Sequence, residues 1–162
     1  MIRRSVSFLL VVLMVFSFVS VTAADEWEQA AYSKVPTTGT PSKTPGYAGG
    51  KYVSTEKSGL IGSFENSLYE QSDRYLRMYA NTFTDYACDE IGYDIFLQKW
   101  DGYYWITQSP YYTKTEYDDD YVYGYHYKSV SVGYYRVHTY HSAEEGVLSD
   151  IESIYSSYIS VD

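Results

Sequence analysis

The chain has 162 residues, enough for one ordinary domain and too few for two once its ends are set aside. Its 12 basic and 21 acidic residues give a net charge of −9, a field that repels phosphate backbones and anionic lipid and so excludes nucleic acid as a partner. The single cysteine, Cys88, excludes an intramolecular disulfide: the fold must hold by packing, with Cys88 either a buried small apolar residue or an intermolecular crosslink.

The first predicted element is a signal peptide over residues 1–23. Arg3 and Arg4 supply the positive start, Val6 to Val21 form an apolar run broken only by serines, and Val21-Thr22-Ala23 offers the small side chains at which signal peptidase cuts. The run approaches the roughly 18 residues of a membrane span. Asp25, Glu26 and Glu28 follow at once, however, which favours cleavage after Ala23 over a retained anchor. Cleavage takes two of the 12 basic residues and none of the 21 acidic ones, so the charge falls from −9 to −11. The expected product is secreted, extracellular or envelope-associated, without stable membrane insertion.

Residues 24–59 predict a flexible tether, with a short helical turn around Asp25 to Tyr32. Ser33 to Gly59, "SKVPTTGTPSKTPGYAGGKYVSTEKSG", contains Pro36, Pro41 and Pro45 among glycines, serines and threonines, too few apolar groups to offset the entropy of ordering it.

From residue 60 to residue 162 the dominant period is two and the composition favours pleated surfaces, so an all-β domain is predicted. Arg74 to Phe83 gives a strand with Leu76, Met78 and Ala80 facing the core. Ile91 to Trp100 gives the next, with Ile91, Tyr93, Ile95 and Leu97 on one face and Asp94, Phe96, Gln98 and Trp100 on the other. Asp101-Gly102 suits a tight type I′ turn, and its return strand runs from Tyr103 to Ser109, before Pro110. A short strand follows at Tyr112 to Tyr117. Asp118 to Asp120 break the pattern, and alternation resumes over Tyr121 to Val132, where Gly124 marks a bulge or a ring packed over bare backbone. Tyr134 to Ser142 and Ile154 to Val161 complete about seven strands, the pattern of an immunoglobulin- or fibronectin type III-like antiparallel β-sandwich.

The last 29 residues, "YYRVHTYHSAEEGVLSDIESIYSSYISVD", resemble the end of a fibronectin type III-like domain. "IGYDIFLQKWDGYYWITQ" followed by "GYYRVHTYHSAEEG" resembles small exported proteins of Gram-positive bacteria that carry a signal peptide and a domain of uncharacterised function. The resemblance covers Glu65 to Asp162 and implies architecture, with no catalytic residues.

His138 and His141 are three apart, which on a strand sends them to opposite faces, so they do not converge on one ion; solvent-facing or edge positions are expected. His126 lies on the preceding strand and is placed to pair across with one of them. Asp118, Asp119 and Asp120 offer oxygen ligands for calcium, yet no EF-hand spacing follows, and a solvated loop is the simpler reading. There is no Gly-x-Ser-x-Gly elbow, nothing sets Ser129 or Ser131 beside a base, and Asp89 and Glu90 diverge as neighbours. No catalytic residue, metal site or cofactor is predicted.

The 22 tyrosines exceed what a core can use, since a buried phenol must satisfy its hydroxyl. Tyr121, Tyr123, Tyr125 and Tyr127 share one face of their strand and, with Tyr103, Tyr104 and Trp105 near the hairpin, form the candidate binding surface. Its expected partner is a cell-wall glycan or an extracellular protein, bound without chemistry. The alternatives are tyrosine serving only as the sheet's solvent-facing β-former, a small carbohydrate-active hydrolase, and a self-assembling surface protein.

Overall fold

The computed structural model describes residues 35–44, 46–53 and 59–162. The predicted signal peptide, its anchor alternative and the helical turn at Asp25 to Tyr32 lie outside the described residues. Among the described residues no helix is long and apolar enough to cross a membrane. Eight strands follow in order: β1 (Tyr47–Val53), β2 (Ile61–Ser72), β3 (Tyr75–Trp100), β4 (Trp105–Thr107), β5 (Tyr112–Ser129), β6 (Gly133–Glu145), β7 (Leu148–Tyr155) and β8 (Ile159–Val161). All ladders between them are antiparallel.

Two strands serve both layers of the resulting sandwich. The Tyr75–Phe83 half of β3 pairs with β2 and with Tyr121–Ser129 of β5, making a first layer that β1 completes. After a corner, β3 resumes from Cys88, pairing on one side with Tyr112–Asp119 of β5 and on the other with β6, which carries β7 and β8 in succession along its far edge. The expected all-β antiparallel sandwich is therefore present. Its strands differ from expectation. The two strands predicted at Arg74 to Phe83 and Ile91 to Trp100 are one bent strand, and the acidic run that was to separate Tyr112–Tyr117 from Tyr121–Val132 lies inside β5.

The corner explains both differences. Phe83 faces Tyr121 and the next partners are Cys88 and Asp119, so four residues of β3 oppose one of β5. Thr84, fully buried, donates its hydroxyl to the Tyr86 carbonyl at 2.8 Å, with the Asp120 carbonyl at 3.3 Å, satisfying oxygens that the ladder abandons. Asp118 takes φ 54°, a left-handed value that Asp tolerates better than most residues, and Asp119 Oδ1 accepts from the Asp120 and Tyr121 amides at 2.8 and 3.2 Å.

Other boundaries also move. Tyr47–Val53, read from sequence as tether, is β1 and pairs with β2. Thr40 and Ser42 are tied to Tyr158 by backbone hydrogen bonds of 2.8 Å each. Ile61–Ser72 forms a strand where the sequence placed only the start of the domain, and the final segment splits into β7 and β8. The Asp101-Gly102 hairpin exists but is wider than type I′: Trp100 pairs with Trp105, and Asp101 Oδ1 accepts from the amides of Tyr103 and Tyr104 at 2.8 and 2.7 Å, holding its carboxyl below the usual range.

Between the layers, Leu68, Leu76, Met78, Ile91, Ile95, Leu97 and Val137 are buried, as period two predicts. A polar chain crosses this core. Asn66 donates Nδ2 to the Ile154 carbonyl at 3.1 Å and to Thr139 Oγ1 at 3.0 Å; Thr139 Oγ1 meets His141 Nε2 at 2.8 Å; His141 Nδ1 meets Thr82 Oγ1 at 2.8 Å; and Thr82 reaches the Gly92 carbonyl at 2.9 Å. Phe64 stacks on the same imidazole, ring centroids 4.4 Å apart. Gly124 is needed where Tyr93 crosses between layers, since a Cβ there would lie 2.1 Å from the phenol oxygen.

Candidate functional site

The candidate surface is the outer side of the first layer. Along β5, Val122 is buried while Tyr121, Tyr123, Tyr125 and Tyr127 are 38%, 48%, 50% and 44% exposed, the alternation a half-buried strand requires. Register extends each phenol into a row across the sheet: Tyr127 opposite Arg77 and then Tyr69; Tyr125 opposite Tyr79 and Ser67; Tyr123 opposite Asn81 and Glu65; Tyr121 opposite Phe83 and Ser63. Cross-strand neighbours are close enough to touch, and they do. Tyr79 packs on Tyr125 at 4.9 Å between centroids, Tyr75 on Tyr127 at 5.9 Å, and the Arg77 guanidinium sits 5.1 Å from the Tyr69 ring and 5.4 Å from that of Tyr125. Along the strand Tyr121 stacks on Tyr123 at 5.4 Å.

Polar groups interrupt this pavement at fixed places. Asn81 donates Nδ2 to Tyr79 Oη at 2.8 Å and to Glu65 Oε1 at 3.2 Å, and its own oxygen accepts the Glu65 amide at 3.0 Å. Burial and the Tyr121 hydroxyl 3.3 Å away push the Tyr79 phenol well above its ordinary pKa, so it remains a neutral hydroxyl. The surface thus presents ring faces and oriented donors and acceptors together.

The hairpin aromatics belong elsewhere. Tyr103 and Tyr104 are exposed, but at the Trp100 end of β3, whereas Tyr121 to Tyr127 pair with its opposite end. Trp105 is not an exposed binding residue: it packs against Trp100 and Tyr158, donates Nε1 to the Thr38 carbonyl at 3.0 Å, and lies under the Arg136 guanidinium at 4.5 Å. The seven candidates therefore divide into an outer-face row, a loop pair and a packing residue.

The histidines do point to opposite faces, but the expectation of solvent-facing or edge positions fails. His141 lies fully buried between the layers, where burial lowers its pKa to about 3. His138 is buried on the outer side of the second layer, stacked on Tyr155 at 3.9 Å. His126 does not pair with either; it stacks on Tyr112 at 4.5 Å and meets Tyr93 Oη at 3.0 Å. Asp118, Asp119 and Asp120 are exposed, and among the described residues no group of three His, Cys, Asp or Glu is arranged to hold a metal ion. Cys88 is a buried free thiol.

Sequence reasoning missed the outer side of the second layer. Tyr111, just before β5, with Phe96, His138 and Tyr155 on β3, β6 and β7, forms one aromatic row, and Arg136 is held between the rings of Trp105 and Tyr155, 4.2 Å from the latter. The available signal was Ile91 to Trp100, apolar on both faces, which announces a covered outer side.

No protein-family model and no curated protein matches the chain. Among solved structures, the crystal structure of the C-terminal domain of Wzt is similar, with a TM-score of 0.38 and 14% identity over 73% of this chain and 79% of that one. At that similarity nothing of that domain's role carries over.

Proposed function

We propose that the protein is an exported, non-enzymatic binding module that holds a cell-envelope glycan on the outer face of its first layer. The single observation that carries this reading is the row of exposed phenols on β5, extended by Tyr69, Tyr79 and Phe83 and interleaved with Arg77, Asn81 and Glu65. A sugar ring has an apolar C–H face and a rim of hydroxyls, and a pavement of tyrosines set with amide, guanidinium and carboxylate answers both parts. A broad protein interface would also use tyrosines and arginine, but it is depleted of carboxylates, whereas here Glu65 stands within the pavement beside Asn81.

The test is retention of the protein on purified peptidoglycan and on other polysaccharides. Tyr123→Ser with Tyr125→Ser removes two rings worth about 0.7 kcal/mol each, so retention should weaken about ten-fold. The melting temperature should move by no more than about 4 °C, because both side chains stand on the surface. Unchanged retention rejects the reading; release of reducing ends from the polysaccharide would favour the hydrolase instead.

A further inference from the structure

A second site lies where the segment after Gly39 crosses the β1 side of the sandwich. It is a cleft of about 830 Å³, within the roughly 300–1,000 Å³ of ordinary ligand sites. In a chain that is strongly acidic overall, its walls carry three cations, Lys43, Lys51 and Arg136, against one carboxylate, Glu65, with serines, threonines and the tyrosines Tyr47 and Tyr155 among the other lining residues. Arg136 is prepared for an anion: its rings of Trp105 and Tyr155 fix the guanidinium plane, and Nε donates to Gln98 Oε1 at 2.8 Å, which leaves the Nη groups for a ligand.

The independent observation is Asn66. The side chain is 2% exposed, and its Oδ1 is buried with no hydrogen-bond partner. The amide cannot be turned over to cure this, because the Ile154 carbonyl accepts only and so demands the nitrogen. Oδ1 is thereby held towards Gly50, where an added Cβ would stand 3.1 Å from it, and both residues line the cleft. A buried acceptor left unmet costs about 1–3 kcal/mol, which a donor arriving with a ligand returns.

We propose that this cleft binds a carboxylate-bearing sugar, the carboxylate held by Arg136 with Lys51 and Lys43 beside it, and a ring hydroxyl donated to Asn66 Oδ1. A bare anion would use the cations and ignore the amide. A neutral sugar would use the amide and leave the cations without a counter-charge. The Tyr47 ring, which also lines the cleft and is exposed, supplies a surface for the C–H face. The cleft meets the aromatic face at Glu65 and Ser67 but uses none of the β5 tyrosines, so the proposal does not depend on that row.

The experiment titrates the purified protein with glucuronic acid, glucose, acetate and a short oligoglutamate, followed by calorimetry. Glucuronic acid should bind saturably and at least about ten-fold more tightly than each of the others, the worth of one charge-assisted hydrogen-bonded pair. Lys43→Gln with Lys51→Gln, both exposed residues, should weaken it at least about five-fold at unchanged melting temperature. Tyr123→Ser with Tyr125→Ser should leave glucuronic acid binding unaltered, so this site and the aromatic face can fail separately. Equal binding of glucose, of acetate or of oligoglutamate, or wild-type affinity in the lysine variant, overturns the proposal.

Discussion

His141 shows how one residue ties packing to acidity. The ring is closed in by Phe64, Thr82 and Thr139, both nitrogens are hydrogen-bonded, and the tautomer protonated on Nδ1 gives a donor and an acceptor at every link from Asn66 Nδ2 to the Gly92 carbonyl. An imidazolium there would bury a charge with no anion beside it, which is why burial takes the pKa to about 3. In the unfolded chain the same ring titrates near 6.5. Between those values the unfolded state holds a proton that the folded state lacks, so this contribution is complete above about pH 6.5 and is lost as pH falls. From about pH 7.5 to about pH 5 the loss amounts to about 2 kcal/mol. Urea unfolding of wild type and of His141→Gln at both pH values checks it: the variant starts less stable but should lose about 2 kcal/mol less on acidification. Parallel pH dependence in the two proteins would show that the ring is protonated in the fold. His126 and His138, whose pKa values burial also lowers, remain in both proteins and cancel in the comparison.

At the scale of elements, the corner of β3 and β5 is what makes two layers from one ribbon, and Thr84 is its fastener. Thr84→Val keeps the shape and removes the hydroxyl, leaving the Tyr86 and Asp120 carbonyls short of a donor. It should cost about 1–2 kcal/mol in urea unfolding, while the same change at the exposed Thr113 stays within about 0.5 kcal/mol. Equal effects at both positions would mean that the corner does not rely on this group. The strand faces were legible in sequence because period two survives bending: Leu76, Met78 and Ala80 point inward on one side of the corner, as do Ile91, Ile95 and Leu97 on the other. Continuity through the corner was not legible, since Asp118 to Asp120 have the composition of a loop and it is the pairing of Asp119 with Cys88 that carries β5 through them. Nor was β1, whose Tyr-Ala-Gly-Gly start is a poor strand former that β2 holds by its ladder. The exposed tyrosine row could be read from alternation alone. The packing of Trp105 and the cleft could not, because they depend on Thr38 and Arg136, residues far away in sequence brought together by the docking of residues 38–42 on β4 and Tyr158.

For the molecule as a whole, the sandwich is closed where β3 and β5 turn the corner and open on the side where β1 and β7 end the layers. β7 pairs with β6 along one side, and among the described residues no strand pairs with the other. Val147, Leu148 and Ile151 are exposed along this stretch, an edge of the kind that recruits a second chain. Asp150 and Glu152 flank Ile151, and the chain as a whole carries −9, so copies repel one another before their edges can align. That protection is electrostatic at long range and hence conditional: salt at about 0.5 M shortens screening to about 4 Å, while leaving apolar attraction intact. Sedimentation velocity should find monomer at low ionic strength and a concentration-dependent larger species in high salt. Ile151→Lys should restore the monomer in high salt by adding a charge to the edge, and Tyr123→Ser with Tyr125→Ser should not. Monomer in high salt throughout would show that the edge is inert without its charges; association lost through the tyrosine variant would move the contact to the first layer, and make self-assembly through the phenols the better account of that face.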